Sequence, residues 1–238
     1  MRVLAIDTSN LVLSVAIAEE TRVLAEMTTN QQKNHSVRMM DCVSELLDAT
    51  DTSPEQLGGV GVAIGPGSYT GVRIGVASAK SIAWSLNIPA VGVSSLQAVA
   101  MNALGFAGLI VPLFDARRGQ VYTGSYRTDG MERLSIQGQE RIVLLEDWLS
   151  DVREAAEGDK ILFLGEDVRL HRERIEQSLG EQAQFAPAAF QLPRAAHIAH
   201  LTFARLHEAG PVHGLVPEYL QLAEAEAKWL ANRQQEGS

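Results

Sequence analysis

The order of strand-like and helix-like runs repeats between the two halves of this 238-residue chain. In the first half, three strands, a helix, a strand and a helix are predicted at residues 2–7, 11–18, 23–29, 35–49, 60–64 and 72–86. In the second half, the same order is predicted at residues 109–115, 120–127, 132–136, 145–156, 160–164 and 168–179. Two such α/β halves indicate the actin-like or sugar-kinase-like ATPase fold, with βββαβα order in each lobe.

The runs outside the repeat extend each lobe. They are a short strand, a helix, a second short strand and a second helix at residues 90–93, 95–104, 184–186 and 194–209. Ser94 is the expected N-cap of the helix that follows it. Alternating apolar residues at 11–18 predict a strand with one buried face. The antiparallel start of each half argues against a Rossmann fold, in which strands alternate with helices throughout.

Three segments are predicted from this order. The first lobe spans residues 1–104 and the second lobe spans residues 105–216. Residues 217–238 form a C-terminal tail, in which a turn and an amphipathic helix are predicted over residues 217–233.

Charge and composition restrict the class of protein. The net charge is −9, which argues against a protein that grips nucleic acid alone, because such proteins present a basic face. A single cysteine, Cys42, excludes a disulfide framework within the chain. The chain opens on a strand-like run without a signal-peptide pattern, and the uncharged run at residues 81–114 is interrupted by Pro and Gly. We therefore expect a cytoplasmic protein that does not enter a membrane.

A glycine loop stands between a predicted buried strand and a predicted helix. It is composed of Gly65, Pro66, Gly67, Ser68, Tyr69, Thr70, Gly71, Val72 and Arg73. The loop lacks the Gly-Lys-Ser/Thr ending of a Walker A loop, the third glycine of a dinucleotide fingerprint, and the flanking glycines of a serine-hydrolase elbow. The residues alone favour a rigid turn in which Thr70 caps the following helix.

Two further turns occupy the positions that hold nucleotide phosphates in this architecture. Each follows the first strand of its lobe, and they read Asp7-Thr8-Ser9-Asn10 and Asp115-Ala116-Arg117-Arg118-Gly119. Neither is rich in glycine, and the residues favour turns that Asp7 and Asp115 cap by accepting backbone N–H bonds. In the alternative interpretation, vestiges of a nucleotide site are formed by Asp7, Thr8, Ser9, Asp115, Arg117 and Arg118.

The sequence offers no catalytic or metal-binding constellation. His35 opens a predicted helix, but the residue one turn later is Met39, so the His-x-x-x-His zinc pair is missing. His197 and His200 share a helix face without a third ligand, and Cys42 is expected to pack among apolar neighbours. We expect no catalytic residue and no metal in this chain.

The helices at residues 35–49 and 72–86 carry more apolar residues than one buried stripe requires. The surplus predicts either deep burial within the chain or a helix-on-helix contact with another chain.

The glycine loop and four other segments resemble the TsaB (YeaZ) family. Every position of residues 65–75 fits that family's motif, Gly-Pro-Gly-Ser-Phe/Tyr-Thr-Gly-Leu/Val-Arg-Ile-Gly. The other matching segments are Ala5-Ile6-Asp7-Thr8-Ser9, His35-Ser36, residues 115–122, and Pro217-Glu218-Tyr219-Leu220. One departure is Gln221, where the family often has arginine.

The resemblance implies a non-catalytic, activating subunit of the complex that makes threonylcarbamoyladenosine beside the tRNA anticodon. Transfer of the threonylcarbamoyl group would be performed by a TsaD partner, which carries the metal-binding histidines. The resemblance also implies a homodimer, a TsaE ATPase in the larger complex, and ATP only within that complex. The alternatives are an ATPase or kinase of the same fold and, with less support, a peptidase.

The resemblance places the partner interface on the two helices of the first lobe. The residues assigned to it are His35, Val37, Met39, Met40, Val43, Leu46, Gly75, Val76, Ala79, Lys80 and Ala83.

Overall fold

The computed structural model describes residues 1–31, 35–131 and 133–220, with the backbone alone at residues 35–37. The first lobe contains a five-stranded sheet. Its strands are β1 (Arg2–Asp7), β2 (Val12–Glu19), β3 (Arg22–Asn30), β4 (Leu57–Gly65) and β5 (Ala90–Ser94), in the order β3-β2-β1-β4-β5. Strands β1, β2 and β3 pair antiparallel, whereas β1, β4 and β5 pair parallel. The helices of this part of the chain are α1 (His35–Ala49), α2 (Tyr69–Leu86) and α3 (Ser95–Ala100).

The second lobe contains a seven-stranded sheet. Its strands are β6 (Leu109–Asp115), β7 (Gln120–Thr123), β8 (Tyr126–Asp129), β9 (Arg133–Ile136), β10 (Arg141–Leu144), β11 (Ile161–Leu164) and β12 (Ala183–Phe185). Five of them follow the order β10-β7-β6-β11-β12, and the β8–β9 hairpin joins at β6. The helices are α4 (Leu145–Ala156), α5 (Val168–Leu179) and α6 (Ala195–Arg205). Short 3₁₀ turns lie at Pro54–Gln56, Met101–Ala103, Gly180–Gln182, Ala188–Phe190, Leu206–Glu208 and Val212–Gly214.

The two sheets share one topology, which confirms the predicted repeat and the two-lobed actin-like fold. Strand β6 takes the central place of β1, and β10 takes the outer place of β3. The prediction that residues 132–136 form the third strand of the second repeat is therefore wrong. Those residues fall in β9, one arm of a hairpin inserted between β7 and β10.

A proline explains why residues 120–127 form two strands instead of the one predicted. Pro112 in β6 has no N–H to donate to a neighbouring strand. Strand β7 pairs with residues 113–115, whereas β8 pairs with Ile110, so the two partners lie on either side of Pro112. The Thr123 hydroxyl donates to the Pro112 carbonyl at 2.9 Å, so this carbonyl, between the residues that pair with β7 and with β8, has a hydrogen-bond partner.

Several predicted element limits change. Helix α2 begins at Tyr69, and α3 and α6 end at Ala100 and Arg205, each followed by a 3₁₀ turn. Helices α1, α4 and α5 have their predicted limits, and Ser94 caps α3 by accepting from Gln97 N at 3.2 Å. Most of the predicted tail helix lies outside the described residues.

Strand β2 is buried on both faces, so the prediction of a half-exposed strand is wrong. One face packs under α1 and α2 in a core that includes Leu13, Val15 and Ile17. The other face carries Ala16 and Ala18, whose small side chains leave room for α6.

Helices α3 and α6 connect the two lobes by packing across them. Helix α6 covers the first sheet, where Ser14 Oγ and Glu26 Oε1 each accept a backbone N–H at its start, both at 2.9 Å. Helix α3 packs on the second sheet, with Leu96 and Val99 in one core with Ile110 and Tyr126. The domain limits at residues 104 and 216 stay predictions.

Replacing Gly61 with alanine should destabilise the protein, because the new Cβ would overlap Thr202 Oγ1 on α6. The Thr202 hydroxyl is held by a 2.7 Å hydrogen bond to the Ile198 carbonyl, so it cannot move away freely. We expect Gly61→Ala to lower the free energy of unfolding by about 1–3 kcal/mol in urea titrations. The control is Gly210→Ala, whose Cβ would meet nothing within 4 Å. Equal midpoints for both variants would contradict this packing.

Candidate functional site

The glycine loop packs against the first turn, residues 7–10, through direct backbone contacts. Ser68 N donates to the Ser9 carbonyl at 2.6 Å, and the Thr8 hydroxyl donates to the Gly71 carbonyl at 2.7 Å. A Cβ at Gly67 would overlap the Ser9 carbonyl, and one at Gly71 would overlap the Thr8 carbonyl. The motif therefore needs glycine because two backbone segments approach each other too closely for any side chain.

Ser68, not Thr70, caps α2. Its Oγ accepts a hydrogen bond from Gly71 N at 3.3 Å, as is typical of an N-cap serine. Thr70 is the second residue of the helix and is exposed. The predicted cap was wrong by two residues because the contact with the first turn places the helix start earlier than the run of apolar residues suggests.

The first turn uses its polar groups internally. Asp7 is fully buried, and its Oδ1 accepts from Ser9 N at 2.8 Å and from Ser9 Oγ at 2.7 Å. Its Oδ2 has no hydrogen-bond partner among the described residues, and burial raises the pKa of the carboxyl to about 6. The Ser9 amide and the Thr8 hydroxyl, two donors that could bind a phosphate, are already committed to Asp7 and to the Gly71 carbonyl. This geometry fits the capping interpretation of Asp7 better than the nucleotide interpretation.

The second turn, residues 115–119, has an unusual backbone. Arg117, Arg118 and Gly119 have φ angles of 65°, 53° and 75°, a left-handed region that costs roughly 1 kcal/mol or more for each arginine. Both arginine side chains are exposed. Behind the turn, Asp115 Oδ1 lies 3.1 Å from His171 Nε2, and Asp115 N donates to Asp167 Oδ2 at 2.9 Å.

Most residues assigned to the partner interface do not reach the surface. Met39, Val43, Leu46, Gly75, Val76, Ala79 and Ala83 are buried in the chain's own core. Met40 is 45% exposed, and nothing is described of the His35 and Val37 side chains. The apolar surplus of the two helices thus serves burial within the chain at these seven positions.

A different stripe of α2 faces outward. We call it the α2 outer face, and it consists of Arg73, Ala77, Ser81, Trp84 and Ser85, all of which are exposed. Trp84 is 82% exposed, although tryptophan usually buries much of its surface. The stripe follows helical spacing, so a helical wheel centred opposite Val72, Val76 and Ala83 identifies it from sequence.

Helix α5 occupies the equivalent place in the second lobe and offers an internal comparison. Its exposed positions include the charged residues Arg169, Arg172, Glu173, Arg174 and Glu176. The α2 outer face carries only one charge, at Arg73. An exposed tryptophan and an arginine without acidic neighbours favour a contact surface, whereas the α5 pattern is typical of a solvated helix.

A segment near the end of the described chain lies beside α2. We call residues 212–219 the C-terminal strap. Lys80 Nζ donates to the carbonyl oxygens of His213 and Leu215, both at 2.9 Å, and Glu218 N donates to the Ile64 carbonyl at 2.7 Å. The strap therefore occupies one side of α2, where Lys80 holds it in place.

An aromatic pair joins the strap to the start of α2. The rings of Tyr69 and Tyr219 are stacked with centroids 5.0 Å apart. Arg73 Nη1 donates to the Tyr69 hydroxyl at 2.6 Å. These contacts bring together the glycine-loop motif and the 217–220 motif, which are far apart in sequence.

The described residues contain neither a metal-binding cluster nor a membrane-spanning helix. No group of three His, Cys, Asp or Glu side chains within that part of the chain could hold a metal ion. None of its helices is both long and apolar enough to cross a membrane.

The buried Asp7 carboxyl should make stability depend on pH. Because its pKa rises from 3.8 to about 6 in the folded chain, the folded state holds the proton more tightly than the unfolded state. The resulting stabilisation is present below about pH 4 and is lost as the pH rises through about 6. Relative to Asp7→Asn, the wild type should lose up to about 3 kcal/mol of unfolding free energy between pH 4 and 6. Asp129→Asn, at an exposed position, serves as the control, and parallel curves for wild type and Asp7→Asn would contradict the burial.

Comparisons with known proteins agree with this fold and these motifs. The family model described as TsaD, tRNA N6-adenosine threonylcarbamoyltransferase, matches residues 22–229. The TsaB protein of Bacillus subtilis is 50% identical over 234 residues, covering 98% of this chain and all of the relative. The TsaB protein of Escherichia coli is 35% identical over 131 residues, covering 54% of this chain and 56% of the relative. The solved structure of YeaZ from Pseudomonas aeruginosa has a TM-score of 0.77 at 27% identity, covering 92% of this chain and 99% of that one. The chain belongs to the TsaB (YeaZ) family.

Proposed function

We propose that this protein is a cytoplasmic subunit of the machinery that makes threonylcarbamoyladenosine in tRNA, and that it performs no catalytic step itself. Its relatives from Bacillus subtilis and Escherichia coli are named tRNA threonylcarbamoyladenosine biosynthesis proteins. In this proposal the chain binds a TsaD-type catalytic partner through the α2 outer face. The observation that carries the proposal is the exposed Trp84 within a nearly uncharged helix face.

The geometry of the glycine loop supports a positioning role. The loop contacts the first turn through backbone atoms and starts α2 at Ser68, so it fixes where the helix begins and how it is directed. The Ser68 N–H and the Thr8 hydroxyl, two donors that could bind a phosphate, are used in this contact instead. A loop of this kind serves to hold α2 in place for a partner.

The fold also supports a helix-on-helix contact with a TsaD-type chain. This chain matches the TsaD family model over residues 22–229, which supports a partner of the same fold with an equivalent of α2. Small residues at Ala77, Ser81 and Ser85 allow two helices to approach within about 8–10 Å. The same face can pair with a second copy of this chain, which gives an isologous homodimer. A TsaE-type ATPase, ATP and direct tRNA contact stay predictions at the level of the larger complex.

The experiment compares exposed substitutions on the two equivalent helices. We expect Trp84→Ala to weaken binding of a TsaD-type partner by about 30-fold or more, since buried tryptophans dominate interfaces. Ala77→Arg should also weaken binding, because it places a bulky charge where the helices meet. The matched control is Leu170→Arg on α5, at a position that is 56% exposed, and it should bind like the wild type. Calorimetric titration measures affinity, and light scattering measures the mass of the complex.

Two results would overturn the proposal. The first is a reconstituted threonylcarbamoyl transfer that runs equally well without this chain. The second is ATP turnover, or any transfer activity, by the isolated pure chain, which would favour the ATPase alternative. Unchanged binding by both Trp84→Ala and Ala77→Arg would reject the α2 outer face as the interface while leaving the subunit role open to other surfaces.

A further inference from the structure

The C-terminal strap brings the end of the described chain to the edge of the α2 outer face. The strap lies along α2 from Lys80, in the second half of the helix, to Tyr69, the first residue of the helix. The stacked Tyr69 and Tyr219 rings place the end of the described chain beside the start of α2. Arg73, the first member of the outer face, contacts the Tyr69 side of this pair.

The remaining chain has the length and pattern to cover that face. Residues 221–238 follow, and their sequence predicts an amphipathic helix that reaches residue 233. Leu222, Ala225 and Trp229 recur at helical spacing, and Leu230 lies next to them. Twelve helical residues, 222–233, span about 18 Å, which equals the span from Arg73 to Ser85 on α2.

Size and charge are complementary between the two segments. The outer face has small residues at Ala77 and Ser81, opposite which the large Leu222 and Trp229 side chains can lie. Glu224 and Glu226 fall in the first half of residues 222–230, and Arg73 is the first member of the outer face. Opposite charges at the edge of a contact favour one register over others.

We infer that residues 222–230 dock on the α2 outer face of the same chain. Docking removes the apolar Trp84 surface from water in the free protein. The docked tail competes with a catalytic partner for this face, a consequence that rests on the proposed function above. The partner must displace it, so its apparent affinity falls with the fraction of chains in which the face is uncovered.

The docking is tested by the exposure of Trp84 in the full-length chain. The protein has three tryptophans, and Trp148 is only 4% exposed. In Trp229→Phe and Trp229→Glu the fluorescence that acrylamide can quench therefore comes from Trp84. Phenylalanine keeps an apolar anchor on the tail, whereas glutamate removes it. We expect Trp84 to be quenched at least about twofold more efficiently in Trp229→Glu, as an undocked tail exposes it.

A control and a dilution series complete this measurement. Adding Gln235→Glu to Trp229→Phe introduces the same charge outside the apolar set and should leave quenching unchanged. Equal quenching of Trp229→Phe and Trp229→Glu would overturn the inference. Protection of Trp84 that disappears on dilution would also overturn it, because a second copy of the chain would then be the occupant.

Partner binding separates this inference from the proposed function. If the docked form makes up about nine-tenths of the chains, Trp229→Glu should bind a TsaD-type partner about tenfold more tightly than Trp229→Phe. Weaker binding by Trp229→Glu would overturn the competition, because the tail would then belong to the partner interface. If neither variant binds, the proposed interface fails, but the quenching result still decides whether the tail docks.

Discussion

The close backbone contact between the first turn and the glycine loop determines how the first lobe presents α2. Ser68 N and the Thr8 hydroxyl donate hydrogen bonds across this contact. The backbone of the first turn leaves no space for a side chain at Gly67 or Gly71. The contact uses groups that could otherwise receive a phosphate. It therefore favours a fixed helix over a nucleotide site, and the outward direction of Trp84 depends on it.

The two lobes share a topology but differ where each could bind something. The first lobe has a nearly uncharged outer helix face on α2, whereas α5 in the equivalent place carries charges at most exposed positions. The second turn contains two arginines in a left-handed backbone, while the first contains a buried aspartate. The exchange of α3 and α6 across the sheets ties the lobes together, whereas α2 packs in a separate core beneath the other face of the first sheet.

Substitutions at positions such as Ala79 would give a misleading test of partner binding. Ala79 and Ala83 are fully buried, so a charge there would disrupt the core before it could report on an interface. Ala77 and Trp84 lie on the same helix but on its exposed side. Separating the two sides of α2 is what makes the proposed contact testable.

Much of this protein is determined by local sequence. The repeated element order, the limits of α1, α4 and α5, and the Ser94 cap follow from side-chain periodicity and capping chemistry, which act over a few residues. The glycine motif identifies the family because glycine spacing is specified residue by residue. The position of the α2 outer face also follows from helical spacing once the buried stripe is known.

Only the tertiary structure decided which apolar residues of α1 and α2 are buried and which are exposed. Sequence periodicity cannot reveal that α6 returns to cover β2, that Pro112 divides the strand at residues 120–127, or that β10 replaces the predicted third strand. It also cannot show that Lys80 holds the C-terminal strap. Each of these results depends on contacts between residues far apart in the chain. Burial is a property of such contacts, so Met39 and Ala79 became core while Trp84 remained on the surface.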